Sequence, residues 1–410
     1  MTPDSLRRVA VTGIGAVSAW GWGVEALWSG VCSGRTAIGN FDRFPHEDYR
    51  THLAAQVPEP LDGAEPQRFK RLSLAERFAL FSAAEALKQA GLPDDLSSVD
   101  AGVFSSSSTG GMLESEDSYI RLRAEPGTIV DLREFAAQTV NGPGDAVARV
   151  FRVNGPVQAV SSACASGTMA MGMAVDAIRE GQVRIALTGG ADCLCRTTFG
   201  GFNSLRSIDE KPALPFRQGR EGLSLGEGGA FLVLEVLDDA RARGTTILAE
   251  VRAVGSSSDA HHMTAPEPQG TGAVVALRRA LDEADRDPDT IGFVNAHGTG
   301  TPLNDAAEWN ALREVFGERA GRIPITSTKG SIGHLLGTAG LIEAVVTVLC
   351  LQNGQIHPTP GGGRIDSELP LNLVLDGPVA VSESMDAVSL NLGFGGGNSA
   401  VILSGWRESE

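Results

Sequence analysis

Cysteine is scarce in this chain of 410 residues: there are five, an odd number, with Cys193 and Cys195 one residue apart and no C-x-x-C pair. That usage excludes a disulfide framework and fits a reducing cytoplasm. Basic residues are also in short supply, 34 Lys+Arg against 50 Asp+Glu, for a formal net charge of −16. A nucleic-acid binder needs a basic surface to neutralise phosphates, so that class is excluded, and anionic membranes are repelled. An acidic partner would have to dock on a local basic patch. No run of 18 or more apolar residues occurs, which argues against a membrane span. The stretch from Arg7 to Trp22 has the basic-then-apolar look of a leader, but Gly13, Gly15, Gly21 and Gly23 interrupt it and Asp4 precedes it. VAVTGIGAVS reads better as a strand entering a turn. There is no G-X-Y period and no low-complexity tract.

What is present is a core-forming chain, 42% hydrophobic, with 51 glycines gathered where strands would end. The length suits two or three domain-sized units or one large fused body. Two echoes favour duplication. GVFSSSSTGG at 102–111 matches GFVNAHGTGT at 292–301, with Thr109 and Gly110 in the places of Thr299 and Gly300. Each follows a helical stretch, 74–91 and 273–285. The strand, small-residue turn and helix of 157–182 return at 323–355, in the same order. Strands alternating with helices imply α/β layers with sheets covered on both sides. The expected division is an N-terminal half, 1–245, and a C-terminal half, 246–410, with 112–150 inserted in the first.

Cys164 lies in AVSSACASGTMAMGMAVDAIREG, where strand-compatible residues give way to small ones and then to helical spacing of Met169, Met173 and Ala177. This puts the thiol at the first turn of a helix, where free N–H groups and the helix dipole favour a thiolate. Its tiny neighbours leave room for a bulky substrate, whereas the other four cysteines read as packing material. Histidine is limited to seven residues, yet His297 in VNAHGTGTPLND and His334 in TSTKGSIGHLLGTAG both follow strands. Neutral imidazoles there can donate N–H bonds to a developing oxyanion. Lys329 lies five residues before His334, and Glu308 is the nearby acid expected to hold it. SLNLGFGGGNSAVIL reads as strand, glycine turn, strand, with Phe394 projecting from the turn. Gly222-Leu-Ser224-Leu-Gly226 fits the hydrolase elbow pattern, but a polar loop precedes it and a strand follows, the wrong context. Gly13-Ile-Gly15 lacks the third glycine of a dinucleotide site.

Taken in order, VAVTGIGAVSAWG, SSACASG, PFRQGREGLSLGEGGAFLVLE, SDAHHMTAPEPQGTG, NAHGTGTPLND, KGSIGHLLGTAG and GFGGGNSAVI resemble the β-ketoacyl-acyl-carrier-protein synthases of ketoacyl synthase II type, within the thiolase-like superfamily, over nearly the whole chain. The resemblance implies a pseudo-duplicated five-layered α/β/α/β/α sandwich. It also implies decarboxylative Claisen condensation of a Cys164-bound acyl group with malonyl-acyl carrier protein, in fatty acid or polyketide/polyene chain elongation. His297 and His334 would promote decarboxylation, Lys329 and Glu308 would form a supporting ion pair, and the N–H groups of Cys164 and Phe394 would make the oxyanion hole. Thr299 and Thr301 match the positions that hold the phosphopantetheine arm, and Phe394, Phe202 and Gly395 complete the substrate-binding set. No metal or redox cofactor is implied, because the arm arrives on the carrier protein. Arg68, Lys70, Arg71 and Arg77 in QRFKRLSLAER, with Arg206, are the basic candidates for docking that acidic carrier. A homodimer, or a heterodimer with a chain-length-factor-like homologue, is expected in the cytoplasm, with no nucleic acid and no membrane. Four positions depart from the family's usual residues: Gly300 for serine, Leu392 for phenylalanine, Arg217 for aspartate and Gly397 for threonine.

Overall fold

Every residue of VAVTGIGAVS is buried, with no alternation along Val9–Ser18. A strand that hides both faces must lie inside a layered structure. In the computed structural model, which describes residues 7–59, 72–125, 127–382 and 385–406, this strand is central. After β1 (Val9–Ser18) come α1 (Leu74–Ala90), β2 (Ala101–Ser106), α2 (Gly142–Val150), β3 (Val157–Val160), α3 (Ser166–Arg179), β4 (Ile185–Asp192) and β5 (Gly228–Val236). The same alternation then returns as β6 (Ala249–Ser258), α4 (Thr271–Ala284), β7 (Ile291–Asn295), α5 (Pro302–Phe316), β8 (Pro324–Thr326), α6 (Ala339–Asn353), β9 (Asp386–Leu392) and β10 (Gly397–Gly405).

The strand orders repeat as well: β3-β2-β4-β5-β1 in the first array and β8-β7-β9-β10-β6 in the second. In each array the first three strands are parallel and the last two antiparallel. The arrays join where β1 meets β6 antiparallel, Val9 opposite Val251 and Val11 opposite Ala249. Three apolar clusters fill the spaces between layers. Phe78, Leu80 and Leu87 of α1 pack with Leu187 and Phe231 on the outside of the first array. Leu277 and Leu312, from α4 and α5, cover Val388 and Ile402 on the outside of the second. Between the arrays lie Met171 and Ile178 of α3 with Leu341 and Val345 of α6. The molecule is therefore a five-layered, thiolase-like α/β/α/β/α sandwich.

Local sequence explains the element ends. Ser73 and Glu76 form a reciprocal capping box at the start of α1, and Gly91 closes it in the left-handed conformation. Residues Leu336–Asn353 are long and apolar enough to cross a membrane, but 89% of that window is buried, which is the signature of a core helix. The expected insertion at 112–150 is shorter than it looks in sequence. Residues 142–150 form α2, which packs against β2 and falls between β2 and β3 in chain order as α5 falls between β7 and β8, so only 112–141 are additional. The β3→α3 and β8→α6 corners meet at the seam, at the carboxyl ends of parallel strands, where α/β folds place ligands.

Candidate active site

Between β3 and α3 the chain makes a strained corner: Ala163 has φ 47°, a left-handed value that costs a non-glycine residue about 1–2 kcal/mol. This turn presents Cys164 just ahead of the helix, whose first residue is Ser166. Cys164 is buried, 6% exposed as a residue. His334 Nε2 lies 2.9 Å from Sγ, and the backbone N–H groups of Phe394 and of Cys164 itself bear on the same atom. The expected lowering of the thiol pKa is overturned. Burial is the largest influence and pushes it up to about 11, with the Lys329 charge and the two N–H groups pulling against it. Two residues outside the helix, the sulfur gains less from the dipole than it loses by desolvation.

The two imidazoles come from the other half. His334 follows Gly333, whose φ of 71° turns the chain, and the N–H of Leu336 donates to His334 Nδ1 at 3.2 Å. An Nδ1 that accepts leaves the proton on Nε2, so His334 offers an N–H to the sulfur. His297 Nδ1 likewise faces the Asn391 amide nitrogen at 3.4 Å. The rings stand edge to face with centroids 5.3 Å apart. Both pKa values lie well below the ordinary histidine range, through burial first and the Lys329 charge second, so both rings are neutral. One ligand-type atom from each of Cys164, His297 and His334 falls within 4.8 Å of the others. A Cys-His-His set could hold zinc in principle. Here the His334 nitrogen that faces sulfur carries a proton and a lysine charge stands nearby, an arrangement made to donate hydrogen bonds.

The expected Lys329–Glu308 pair is not formed. Lys329 Nζ donates instead to Glu343 Oε1 at 2.5 Å, and the two side chains are 2% and 1% exposed. Glu308 serves the backbone: its carboxylate accepts the N–H of His297 at 2.6 Å and of Gly298 at 2.8 Å, and burial pushes its pKa up to about 8. It thereby shapes the His297 turn without meeting Lys329. Glu343 is a site residue the sequence reading missed. Its signal was available, because it is the one charged residue on α6, AGLIEAVVTVLCLQN, and an acid on an apolar helix needs a buried partner. Asn391 was missed too; its side chain donates to Glu343 Oε2 at 2.7 Å.

A cavity of about 300 Å³ opens onto these groups. Thr299 and Thr301 line it with their hydroxyls 2.9 Å apart, and Phe202 stacks on Phe394 at 5.5 Å with the rings 22° from parallel. Gly395 sits on the turn itself, away from the cavity wall, with φ 83° and its N–H bonded to the carbonyl of Met263. Leu392 is part of the wall. Gly300 has φ 81°, a conformation that suits glycine better than the usual serine. At Gly397 a Cβ would lie 2.6 Å from Ser162 Oγ, so a threonine there would require the Ser162 side chain to turn away. Arg217 is buried away from the cavity and donates to the carbonyls of Gly363 and Thr359. Arg206 is exposed at the rim beside Leu205, whereas Arg77 lines a separate cleft with Glu76 and Glu114 and is not at this mouth. Arg68, Lys70 and Arg71 lie outside the described residues.

A cysteine held against two neutral histidines and two backbone N–H groups, in a duplicated α/β sandwich, is the equipment of a thioester-forming acyltransferase. Family comparison makes that specific. Residues 6–240 match the beta-ketoacyl synthase N-terminal domain and residues 248–362 the corresponding C-terminal domain. The 3-oxoacyl-[acyl-carrier-protein] synthase 2 of Staphylococcus aureus (strain COL) is 33% identical over 97% of this chain and 98% of its own. The putative polyketide beta-ketoacyl synthase 1 of Streptomyces halstedii is 36% identical, covering 97% and 98%. Among solved structures, the ishigamide ketosynthase/chain length factor superposes with a TM-score of 0.91 at 32% identity, covering 98% of this chain and 100% of that one. The chain belongs to the beta-ketoacyl synthase family. It is a condensing acyltransferase of fatty acid or polyketide synthesis that works with acyl carrier protein and needs no cofactor beyond the phosphopantetheine arm the carrier supplies.

Proposed function

We propose that Cys164 carries the acyl group, that His297 and His334 drive loss of carbon dioxide from malonyl-carrier protein, and that Lys329, paired with Glu343, sets the field around them. The observation that carries this reading is the Sγ of Cys164 lying 2.9 Å from a proton-bearing His334 nitrogen, with two backbone N–H groups on the same atom. In the first step the Cys164 sulfur attacks the carrier thioester and the acyl–pantetheine bond breaks. The thiol proton goes to the departing pantetheine sulfur, so no net proton is exchanged.

Malonyl-carrier protein enters next, its arm held by Thr299 and Thr301. Loss of carbon dioxide leaves an electron pair on the adjacent carbon, and the negative charge falls on the thioester oxygen. The two imidazole N–H groups stabilise that oxygen in a dry cavity, where fixed donors count most. Attack on the Cys164 thioester forms the carbon–carbon bond, and the oxyanion of the tetrahedral intermediate rests on the N–H groups of Cys164 and Phe394. Collapse expels the cysteine sulfur, which takes up one proton. Glu308 holds the His297 turn through its two backbone acceptor bonds. Arg206 and the basic run Arg68, Lys70 and Arg71 are proposed to receive the acidic carrier protein.

We read residues 1–245 and 246–410 as the two fused halves and place the enzyme in the cytoplasm. The departures at Leu392 and Gly397, both beside the Phe394 turn, favour a specialised polyketide or polyene substrate over a housekeeping one. The test is intact-mass analysis after incubation with a panel of acylated carrier proteins, followed by malonyl-carrier protein. One acyl group on Cys164, lost as a β-ketoacyl product with carbon dioxide, is the expected result. Acyl transfer that persists in Cys164→Ala, or free acid as the sole product, overturns the reading.

A further inference from the structure

Asn391 is fully buried on β9 and has no place in the chemistry described above, yet its amide nitrogen points at two groups that do. Its amide nitrogen donates to Glu343 Oε2 at 2.7 Å and stands 3.4 Å from His297 Nδ1. Its oxygen accepts from the hydroxyl of Thr168 at 2.7 Å. Thr168 is itself fully buried, in the first turn of α3, the helix that follows Cys164. A carboxamide could be turned over to exchange its oxygen and nitrogen. Here that would set oxygen against the Glu343 carboxylate, which can only accept, so the carboxylate fixes the orientation and the Thr168 hydroxyl donates to the oxygen on the other side.

A second observation, independent of the hydrogen bonds, points to the same contact. The backbone of α6 passes so close at Gly340 that a Cβ there would lie 2.3 Å from Thr168 Oγ1 and 2.7 Å from Asn391 Oδ1. The helix that carries Glu343 therefore presses on the Thr168–Asn391 bond and leaves its two atoms little freedom.

We propose that Asn391, oriented by Glu343 and held by Thr168, is a positioning residue that locks His297 as the Nε2–H tautomer and ties it to the Glu343–Lys329 pair. With an N–H donor aimed at Nδ1, a proton on that nitrogen would meet another proton, so the ring carries its hydrogen on the far side. His334 is fixed independently, by the N–H of Leu336. The two histidines are thus set by different devices: one by its own turn, the other by a side-chain relay that begins on the helix following the nucleophile.

This inference rests on the decarboxylating role given to His297, and two kinds of measurement separate their failures. ¹⁵N spectra of the histidine-labelled full-length protein, with His297 assigned by difference against His297→Asn, report which ring nitrogen is protonated. The expected wild-type pattern has a bare Nδ1 and a protonated Nε2. Thr168→Val and Asn391→Leu should each give a mixture of tautomers. Carbon dioxide release from malonyl-carrier protein should fall about tenfold or more in Asn391→Leu, the scale of a misplaced oxyanion donor. Alkylation of Cys164 by iodoacetamide should change less than carbon dioxide release does, because His334 and the backbone donors at sulfur keep their places and only the Lys329–Glu343 pair loses a hydrogen bond. Gly340→Ala should behave like Thr168→Val. Should Asn391→Leu fail to fold, Thr168→Val with the same spectra decides the matter. An unchanged His297 tautomer in both variants overturns the positioning role. A wild-type enzyme with the expected tautomer but no carbon dioxide release overturns the function proposed for His297 and leaves the positioning role standing.

Discussion

At Cys164 two influences of opposite sign meet, and burial wins. The resting enzyme therefore holds a thiol, and alkylation by iodoacetamide should keep rising above pH 9 with a midpoint close to 11. Lys329→Met removes the charge that favours the thiolate and strands the Glu343 carboxylate, so the midpoint should move higher by about 1 unit or more; a midpoint that moves down would show that Lys329 does not act on the sulfur. The ion pair itself gives a sharper contrast. Glu343→Ala leaves a buried ammonium without its partner and should destabilise the protein by about 3–5 kcal/mol in urea unfolding. Glu308→Gln should leave the Lys329 environment intact, since Lys329 bonds to Glu343. How much of the site was legible follows from these residues. Cys164, His297 and His334 each stand in a small-residue or glycine-rich turn between elements, so the local sequence singled them out, and the fold brings their side chains together. Glu343 and Asn391 lie in the interior of an apolar helix and strand. They reach the site by folding across long sequence gaps, and a reading that takes the nearest acid in sequence arrives at Glu308. The thiol's protonation was misjudged because helix position is visible in a sequence and depth of burial is not.

The glycine turn 393–397 joins β9 to β10 and carries Phe394 over the cavity, so its mechanics belong to the element. Gly395 and Gly396 both have positive φ, near 83° and 81°. A Cβ on Gly395 would meet nothing within 4 Å, whereas one on Gly396 would lie 2.9 Å from Asp259 Cβ. Gly395→Ala should therefore cost only the backbone penalty of about 1–2 kcal/mol. Gly396→Ala should also displace the turn and slow acyl loading of Cys164 more than Gly395→Ala does, measured by intact mass against time. The Phe202–Phe394 stack offers a size-dependent test. Phe202→Ala should speed the reaction of Cys164 with a bulky maleimide several-fold, about 1 kcal/mol of lost stacking, and change iodoacetamide little. Equal acceleration by both reagents would mean the pair does not gate. The elements themselves were readable: helices expected at 74–91 and 273–285 fold as Leu74–Ala90 and Thr271–Ala284. The end of the supposed insertion was not. The α2 sequence, GPGDAVARV, opens on glycines and a proline that look like loop, and only its place between β2 and β3 makes it the counterpart of α5.

For the whole molecule, buried histidines and buried carboxyl groups pull stability in opposite directions as the pH changes: Glu308, pushed up to about 8 by burial, favours the folded state as the pH falls. His297, His334 and His357 are buried and neutral, and His357 is held down to about 4 by burial. A histidine whose folded pKa is depressed lends stability above its unfolded value near 6.5, and that contribution is lost as the pH falls toward the folded value. The stability of the wild type relative to His357→Gln, read from paired urea unfolding curves, should therefore fall by about 3 kcal/mol between about pH 6.5 and pH 4; a constant difference would show that His357 is not held neutral. The outer edge of β3 is a second feature at this scale. Among the described residues it ends its array with no strand beyond it, and Val157 is 40% exposed. Open edges invite pairing with another chain, so Val157→Asp should shift the assembly toward monomer in sedimentation; an unchanged sedimentation coefficient would place the subunit contact elsewhere.

The repeat of strand order has a consequence for ancestry. Cys164 and the segment leading to His334 occupy matching corners of the two halves, and Thr299 has its counterpart in Thr109. In the second half that threonine faces the open cavity. In the first, Thr109 is knotted to Asp192, which also binds Ser107, the N–H of Ser108 and Thr338. A progenitor made of two identical copies would have owned two identical chambers. One descendant chamber still accepts visitors; its twin has been sealed with hydroxyl groups and now serves as the rivet between the copies.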